Sequence, residues 1–138
     1  MITLVLDSSV AIAWFMPDEH SSAPQQVLER VAEDGAIIPM LWALEVGNAL
    51  LFAVRRNRIS TDLRLAVLTQ LAALPLSVDP DTLSHAWSET TALADRFRLT
   101  LYDACYLELA LRRHLPLASL DGELRAAARA LDIPLLGA

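Results

Sequence analysis

Apolar positions along this chain recur with two different periods. Short runs rich in aliphatic and β-branched residues stand at 2–6 (ITLVL), 36–38 (AII), 76–78 (LSV), 116–120 (PLASL) and 133–136 (IPLL) and read as strands. Between them, segments with helical periodicity cover 9–16, 22–33, 41–57, 61–73, 81–97, 101–114 and 122–131. Ser60, Thr61 or Asp62 is placed to open one of these helices, Pro80 and Asp81 another, and Asp121 the last. Strands that alternate with helices need crossover connections, which predicts an α/β three-layer sandwich: a mostly parallel five-stranded sheet flanked by helices on both faces. No Asn-Gly hairpin signal, internal repeat, linker or low-complexity tract divides the chain, so residues 1–138 are expected to form a single domain.

In such a sheet, ligands collect at the carboxyl ends of the strands, near the point where strand order reverses. Asp7 follows the first strand (VLDSS) and Asp121 the fourth (ASLDG). Aspartate at a strand-to-helix junction has an ordinary explanation as a helix N-cap, so neither is decisive alone. Two further acids lie inside apolar helical runs, Glu45 in LWALEVGNALLFAV and Asp103 in LTLYDACYLELAL. A first-turn acid is favoured by the helix dipole, yet an unpaired buried carboxylate costs several kcal/mol, so something should compensate them. Glu108, five residues beyond Asp103 and about 140° around the helix, is expected to face solvent.

Composition narrows the alternatives. The chain is 54% hydrophobic and 20% charged, which fits a globular protein with a large core and a sticky face and excludes a disordered one. The apolar stretch 35–54 is interrupted by Pro39, Glu45, Gly47 and Asn48, so it is expected to be buried in protein rather than lipid. MITLVLD lacks the basic start of a signal peptide, and a cytoplasmic location is expected. The single cysteine, Cys105, can form no internal disulfide and no zinc site by itself.

A net charge of −6 is the wrong sign for binding nucleic acid by bulk attraction. All 11 basic residues are arginines, however, clustered at 55–58 (RRNR), 96–98 (RFR) and 112–114 (RRH). Such clusters are commonly solvated helix ends, and they are also able to steer phosphates.

Gathered in one place without a counter-charge, Asp7, Glu45, Asp103 and Asp121 would repel one another. Hard divalent cations resolve this, because Mg²⁺ and Mn²⁺ prefer oxygen ligands, keep several waters and are typically held by a few carboxylates plus a substrate phosphate. Zinc fits less well, since His20, His85 and His114 are scattered and are expected at the surface or at helix ends. A cation held this way lowers the pKa of a bound water and neutralises charge on phosphoryl oxygens, which is hydrolytic nuclease chemistry. Counting the four acids as neutralised takes the net charge from −6 to −2 and frees the arginines to act on a polyanion.

With these residues in place the whole chain resembles a PIN domain, and more narrowly a VapC-type ribonuclease toxin of a toxin–antitoxin pair. The likeness rests on the order and spacing of VLDSSVAIAWFMPDE, ALEVGNAL, RLTLYDACYLELAL and LPLASLDGELRAAARALDIPLL. It implies that Asp7, Glu45, Asp103 and Asp121 hold one or two Mg²⁺ or Mn²⁺ ions. Ser9 and Ser119 match hydroxyl positions that orient the water or phosphate, with serine at 119 where threonine is more familiar. Asn48 matches a polar position one turn beyond Glu45 that supports the ligands. The resemblance further implies an RNA substrate, a cognate antitoxin crossing the site, a homodimer, and cleavage to a 5′-phosphate and a 3′-hydroxyl without a covalent intermediate.

Two other classes share parts of this pattern. A receiver domain or aspartate-nucleophile phosphatase also places an aspartate after strand one, but both normally use a lysine, and this chain has none. A non-catalytic module that keeps the acids only to bind a metal or partner is compatible with the composition.

Overall fold

A computed structural model describes residues 2–16 and 22–138. Five short strands, β1 (Val5–Leu6), β2 (Ala36–Ile38), β3 (Leu76–Val78), β4 (Leu117–Ala118) and β5 (Leu135–Leu136), form one sheet in the order β3-β2-β1-β4-β5. Every pairing is parallel. Among the described residues, seven α-helices make the connections: α1 (Ser8–Ala13), α2 (Ser22–Asp34), α3 (Trp42–Arg55), α4 (Thr61–Ala72), α5 (Glu89–Phe97), α6 (Leu101–Arg113) and α7 (Gly122–Ala130). The three-layer expectation is met, with strands shorter than the apolar runs that announced them. The strand order reverses between β1 and β4, which puts the crevice of the sheet beyond their carboxyl ends.

The core is continuous across the sheet. Leu4, Val5 and Leu6 are fully buried, as are Leu117 and Ala118 beside them and Leu50, Leu107 and Leu124 on the covering helices. Gly35, at φ +82, ends α2 in a conformation side chains resist, and a Cβ there would lie 2.9 Å from the Pro75 carbonyl oxygen. That close approach lets β2 pair with β3 directly after the turn. Ser60 caps α4 by accepting from the Leu63 amide at 3.0 Å. The stretch 35–54 is buried on one face only: Trp42, Val46, Leu50 and Ala53 of α3 enter the core, whereas Met40, Leu44 and Phe52 are exposed. No helix among the described residues is long and apolar enough to cross a membrane.

Two expectations fail. The helical reading of 81–97 becomes a 3-10 turn (Leu83–His85) followed by α5, broken at Ser88 (φ −118, ψ −101). Pro80 and Asp81 therefore open no α-helix. Asp79, just past β3, takes over the local hydrogen bonds: its carboxylate accepts from the Asp81 amide at 3.2 Å and the Thr82 hydroxyl at 3.0 Å, while Thr82 also accepts from the Met40 amide at 3.2 Å. Side-chain competition of this kind holds 79–82 as a turn.

Glu108 does not face solvent. It is 5% exposed, because α6 is wrapped by α5, α7, β1 and β4 and every residue from Ala104 to Ala110 is buried. Arg112, one turn further on, closes on it with Nε–Oε2 at 2.9 Å and also grips Asp79 with Nη2–Oδ2 at 2.7 Å and Nη1–Oδ1 at 3.2 Å. Burial pushes the Asp79 carboxyl up, but Arg112, the Asp81 amide and the Thr82 hydroxyl outweigh it and hold it below its ordinary value. The arginine clusters thus divide: Arg55, Arg56, Arg96, Arg98 and Arg113 are exposed around helix ends as expected, whereas Arg112 is an internal clamp. His85 and His114 stand at helix ends, and His20 lies outside the described residues.

Candidate active site

Register explains why Asp7 and Ser119 meet. Leu6 pairs with Ala118 across the central parallel ladder, and the Asp7 amide donates to the Ala118 carbonyl at 2.9 Å, so the next side chains emerge together. Ser119 donates to Asp7 Oδ2 at 2.8 Å and Ser9 donates to the same oxygen at 2.6 Å. Each hydroxyl also accepts an amide from the β4–α7 loop, Ser119 from Asp121 at 3.1 Å and Ser9 from Leu120 at 3.0 Å. The two serines therefore stitch the ends of β1 and β4 together around one carboxylate.

Asp7 is only 4% exposed. Burial raises its pKa, the Ser9 and Ser119 hydroxyls pull against that, and the charge of Asp121 pushes it up again. Asp121 also serves as the N-cap of α7, its Oδ1 accepting from the Glu123 and Leu124 amides at 2.9 and 3.1 Å. The ordinary explanation for an acid at that junction is thus correct, and it coexists with the electrostatic contact to Asp7.

Glu45 enters from the first turn of α3 and Asp103 from the first turn of α6. Burial raises Glu45, opposed by a hydrogen bond from the Tyr106 hydroxyl, and the charges of Asp7 and Asp103 raise it further. Burial likewise raises Asp103, helped by Asp121 and Asp7 and opposed by Thr100, the N-cap of α6. The acids are thus linked electrostatically: Asp121 acts on Asp7, Asp7 and Asp103 act on Glu45, and Asp121 and Asp7 act on Asp103. Asn48 lies one turn along α3 from Glu45, exposed and without a hydrogen bond among the described residues.

Two contributors escaped the sequence reading. Tyr106 is fully buried and donates its hydroxyl to Glu45 Oε1, and the Ser8 side chain also works against the rise in the Glu45 pKa. Tyr106 follows Asp103 by three residues, which sets both on one helix face. That spacing was the available signal.

Among the described residues, no three carboxylate, histidine or cysteine side chains close into a ready-made cage. The donor chemistry still suits a small hard cation, which keeps most of its waters and takes one or two carboxylates plus a substrate phosphate. Carboxylates that raise one another's pKa gain from a shared positive charge. Cys105 is buried and its thiol is pushed up to about 11, which removes thiolate chemistry from the site.

A sequence profile of the PIN domain matches residues 4–130. The chain belongs to the PIN domain family. This PIN domain is 28% identical over 131 residues to Ribonuclease VapC3 of Pyrobaculum aerophilum, an alignment covering 95% of this chain and 98% of the relative. Among solved structures it is similar to PAE2754 from Pyrobaculum aerophilum, with TM-score 0.69 and 24% identity over 91% of this chain and 84% of that one. A toxin–antitoxin complex from Klebsiella pneumoniae shares the fold at TM-score 0.53 and 19% identity, over 86% of this chain and 87% of that one.

Proposed function

We propose that this PIN domain is a metal-dependent endoribonuclease that hydrolyses RNA phosphodiester bonds and acts as the toxin of a toxin–antitoxin pair. The observation that carries the reading is Asp7: a carboxylate 4% exposed at the switch point of the sheet, with three other acids around the same cleft and no cation among its strongest influences. A bound Mg²⁺ or Mn²⁺ supplies Lewis-acid activation of water and neutralises charge developing on the phosphoryl oxygens. Asp7, Glu45, Asp103 and Asp121 are its ligands in this reading. Ser9 and Ser119 fix the orientation of Asp7, while Tyr106 does the same for Glu45. Asn48 lies outside those bonds, with its amide open to substrate.

The relative named Ribonuclease VapC3 supports the activity, and the Klebsiella complex supports an antitoxin as partner. Exposed Leu65 and Leu68 on α4, next to an apolar cavity of ≈ 310 Å³ between α3, α4 and β3, suit coverage by that antitoxin or by a second copy of the chain.

The test is cleavage of RNA by the purified chain with Mg²⁺ or Mn²⁺, with EDTA, and by Asp7→Asn, Asp103→Asn and Glu45→Gln. Cation-dependent cleavage lost in all three variants is expected. Folded wild-type protein that binds Mg²⁺ yet cuts no RNA would favour a binding module, and cleavage that persists in the variants would remove these acids from the chemistry.

A further inference from the structure

Beside the acids, a cavity of ≈ 490 Å³ opens between α3 and the start of α6, lined by Leu41, Leu44, Glu45, Asn48 and Tyr102. Its size falls in the range of roughly 300–1,000 Å³ typical of small-ligand sites. Leu44 is 77% exposed and Tyr102 is 64% exposed, so two large apolar surfaces stand open beside Glu45. The Tyr102 hydroxyl and the Asn48 amide have no hydrogen-bond partner among the described residues. Within the fold neither side chain has a structural task.

We infer that this cavity takes an unpaired nucleobase of the substrate, stacked on Tyr102 and edge-bonded by Asn48, one step from the phosphate that is cut. The inference rests on the ribonuclease reading and adds to it which side chains hold the base beside the cut. The occupant must be uncharged where it meets the wall, because no lining residue is a cation that could pair with a phosphate. It must be flat and apolar in face, to cover Leu41, Leu44 and the tyrosine ring. It must also carry donors and acceptors at its edge, because an aliphatic side chain of a peptide would bury the Asn48 amide without a partner. A base satisfies all three, and stacking on aromatic rings is the usual means by which single strands are held. Charge along the same helix face agrees. Phe52, about 10 Å beyond Glu45, is exposed and is flanked by the exposed guanidinium groups of Arg55 and Arg56, each 5.8 Å from its ring centre. The strand would therefore leave the acidic cleft over a cationic surface.

Binding is read by fluorescence anisotropy with a 5′-fluorescein single-stranded RNA of random sequence, in an Asp7→Asn background that blocks cutting, with duplex RNA as competitor. Tyr102→Ala is expected to weaken single-strand binding about tenfold, while Tyr102→Phe retains it and duplex competes poorly. In the Asp7-intact protein, Asn48→Ala is expected to change which bases flank the cut when fragment ends are sequenced. Unchanged affinity in a folded Tyr102→Ala protein overturns the inference, as does equal competition by duplex. Conversion of a dimer to a monomer by Tyr102→Ala also overturns it, since the surface would then belong to a second copy. The two readings fail separately: cleavage that ignores Tyr102 and Asn48 removes only the base site, whereas Tyr102-dependent binding without any cleavage by the Asp7-intact protein removes only the nuclease. Neither binding nor cleavage removes both.

Discussion

Replacing Arg112 with methionine keeps most of the buried stem and removes the charge that two acids share. Asp79 is 1% exposed and Glu108 5%, and the guanidinium makes four hydrogen bonds to them, the fourth from Nη2 to Glu108 Oε1 at 3.0 Å. Breaking a buried pair by deleting one partner costs about 3–5 kcal/mol, because the remaining charge is uncompensated. For a chain of this length, with total stability of order 7–15 kcal/mol, the expected fall in Tm is about 10–15 °C. The loss has a pH signature. In the wild type the folded pKa of Asp79 is depressed, so its contribution is present above the unfolded value near ~3.9 and disappears as pH falls through the folded value. In Arg112→Met the burial of Asp79 loses its largest opposing influence, so the penalty for its charge is largest at high pH and relaxes as pH falls and it protonates. Urea unfolding followed by circular dichroism at pH 8 and pH 5 should show a gap between the two proteins that narrows at the lower pH. A gap below about 1 kcal/mol at pH 8, or one independent of pH, would mean that the trio behaves as a surface ion pair and that the burial argument is wrong.

Three further outcomes follow from the site. Tyr106→Phe removes the hydroxyl that holds Glu45 and should lower cation affinity or kcat about 10- to 100-fold while leaving the packed ring in place; unchanged Mg²⁺ titration and turnover would discount the contact. Ser119→Ala strips one donor from Asp7 and leaves the Asp121 amide unpaired, an expected loss of about 1–3 kcal/mol in chemical denaturation, and a loss well under ~0.5 kcal/mol would count against the stitch between β1 and β4. Without a cation, the raised folded values of Asp7, Glu45 and Asp103 mean stability that is fully present below their unfolded values near ~4 and lost as pH rises through the folded ones. Thermal melts in EDTA should therefore decline from pH 5 to pH 8 by more than the same melts in Mg²⁺, and identical profiles would indicate that the acids bind no cation.

What the sequence disclosed, and what it withheld, follows from how far each interaction reaches along the chain. The strands and most helices were legible because periodicity is local. Residues 81–97 misled because the competitor for their backbone is Asp79, whose carboxylate turns the chain before a helix can start. The site acids were legible as energetic anomalies, carboxylates in apolar surroundings, but that criterion alone does not say what offsets them. Asp103 and Glu108 lie on the same helix, five residues apart, and are equally anomalous by composition. Glu108 has an arginine four residues on, and the pair closes. Asp103 has Leu107 there, and Glu45 has Ala49. An acid in an apolar helix with a cation at i+4 carries its compensation on its own surface. One without it must find a partner from elsewhere, and the positions lacking an in-helix cation, Asp103 and Glu45, are those on which the charge of Asp7 acts. Asp79 could not be assigned to the Arg112 clamp in advance, since 33 residues separate them. The acids with no local counter-charge are the ones left to gain from an external cation, and that asymmetry within one helix separates the candidate site from the structural clamp beside it.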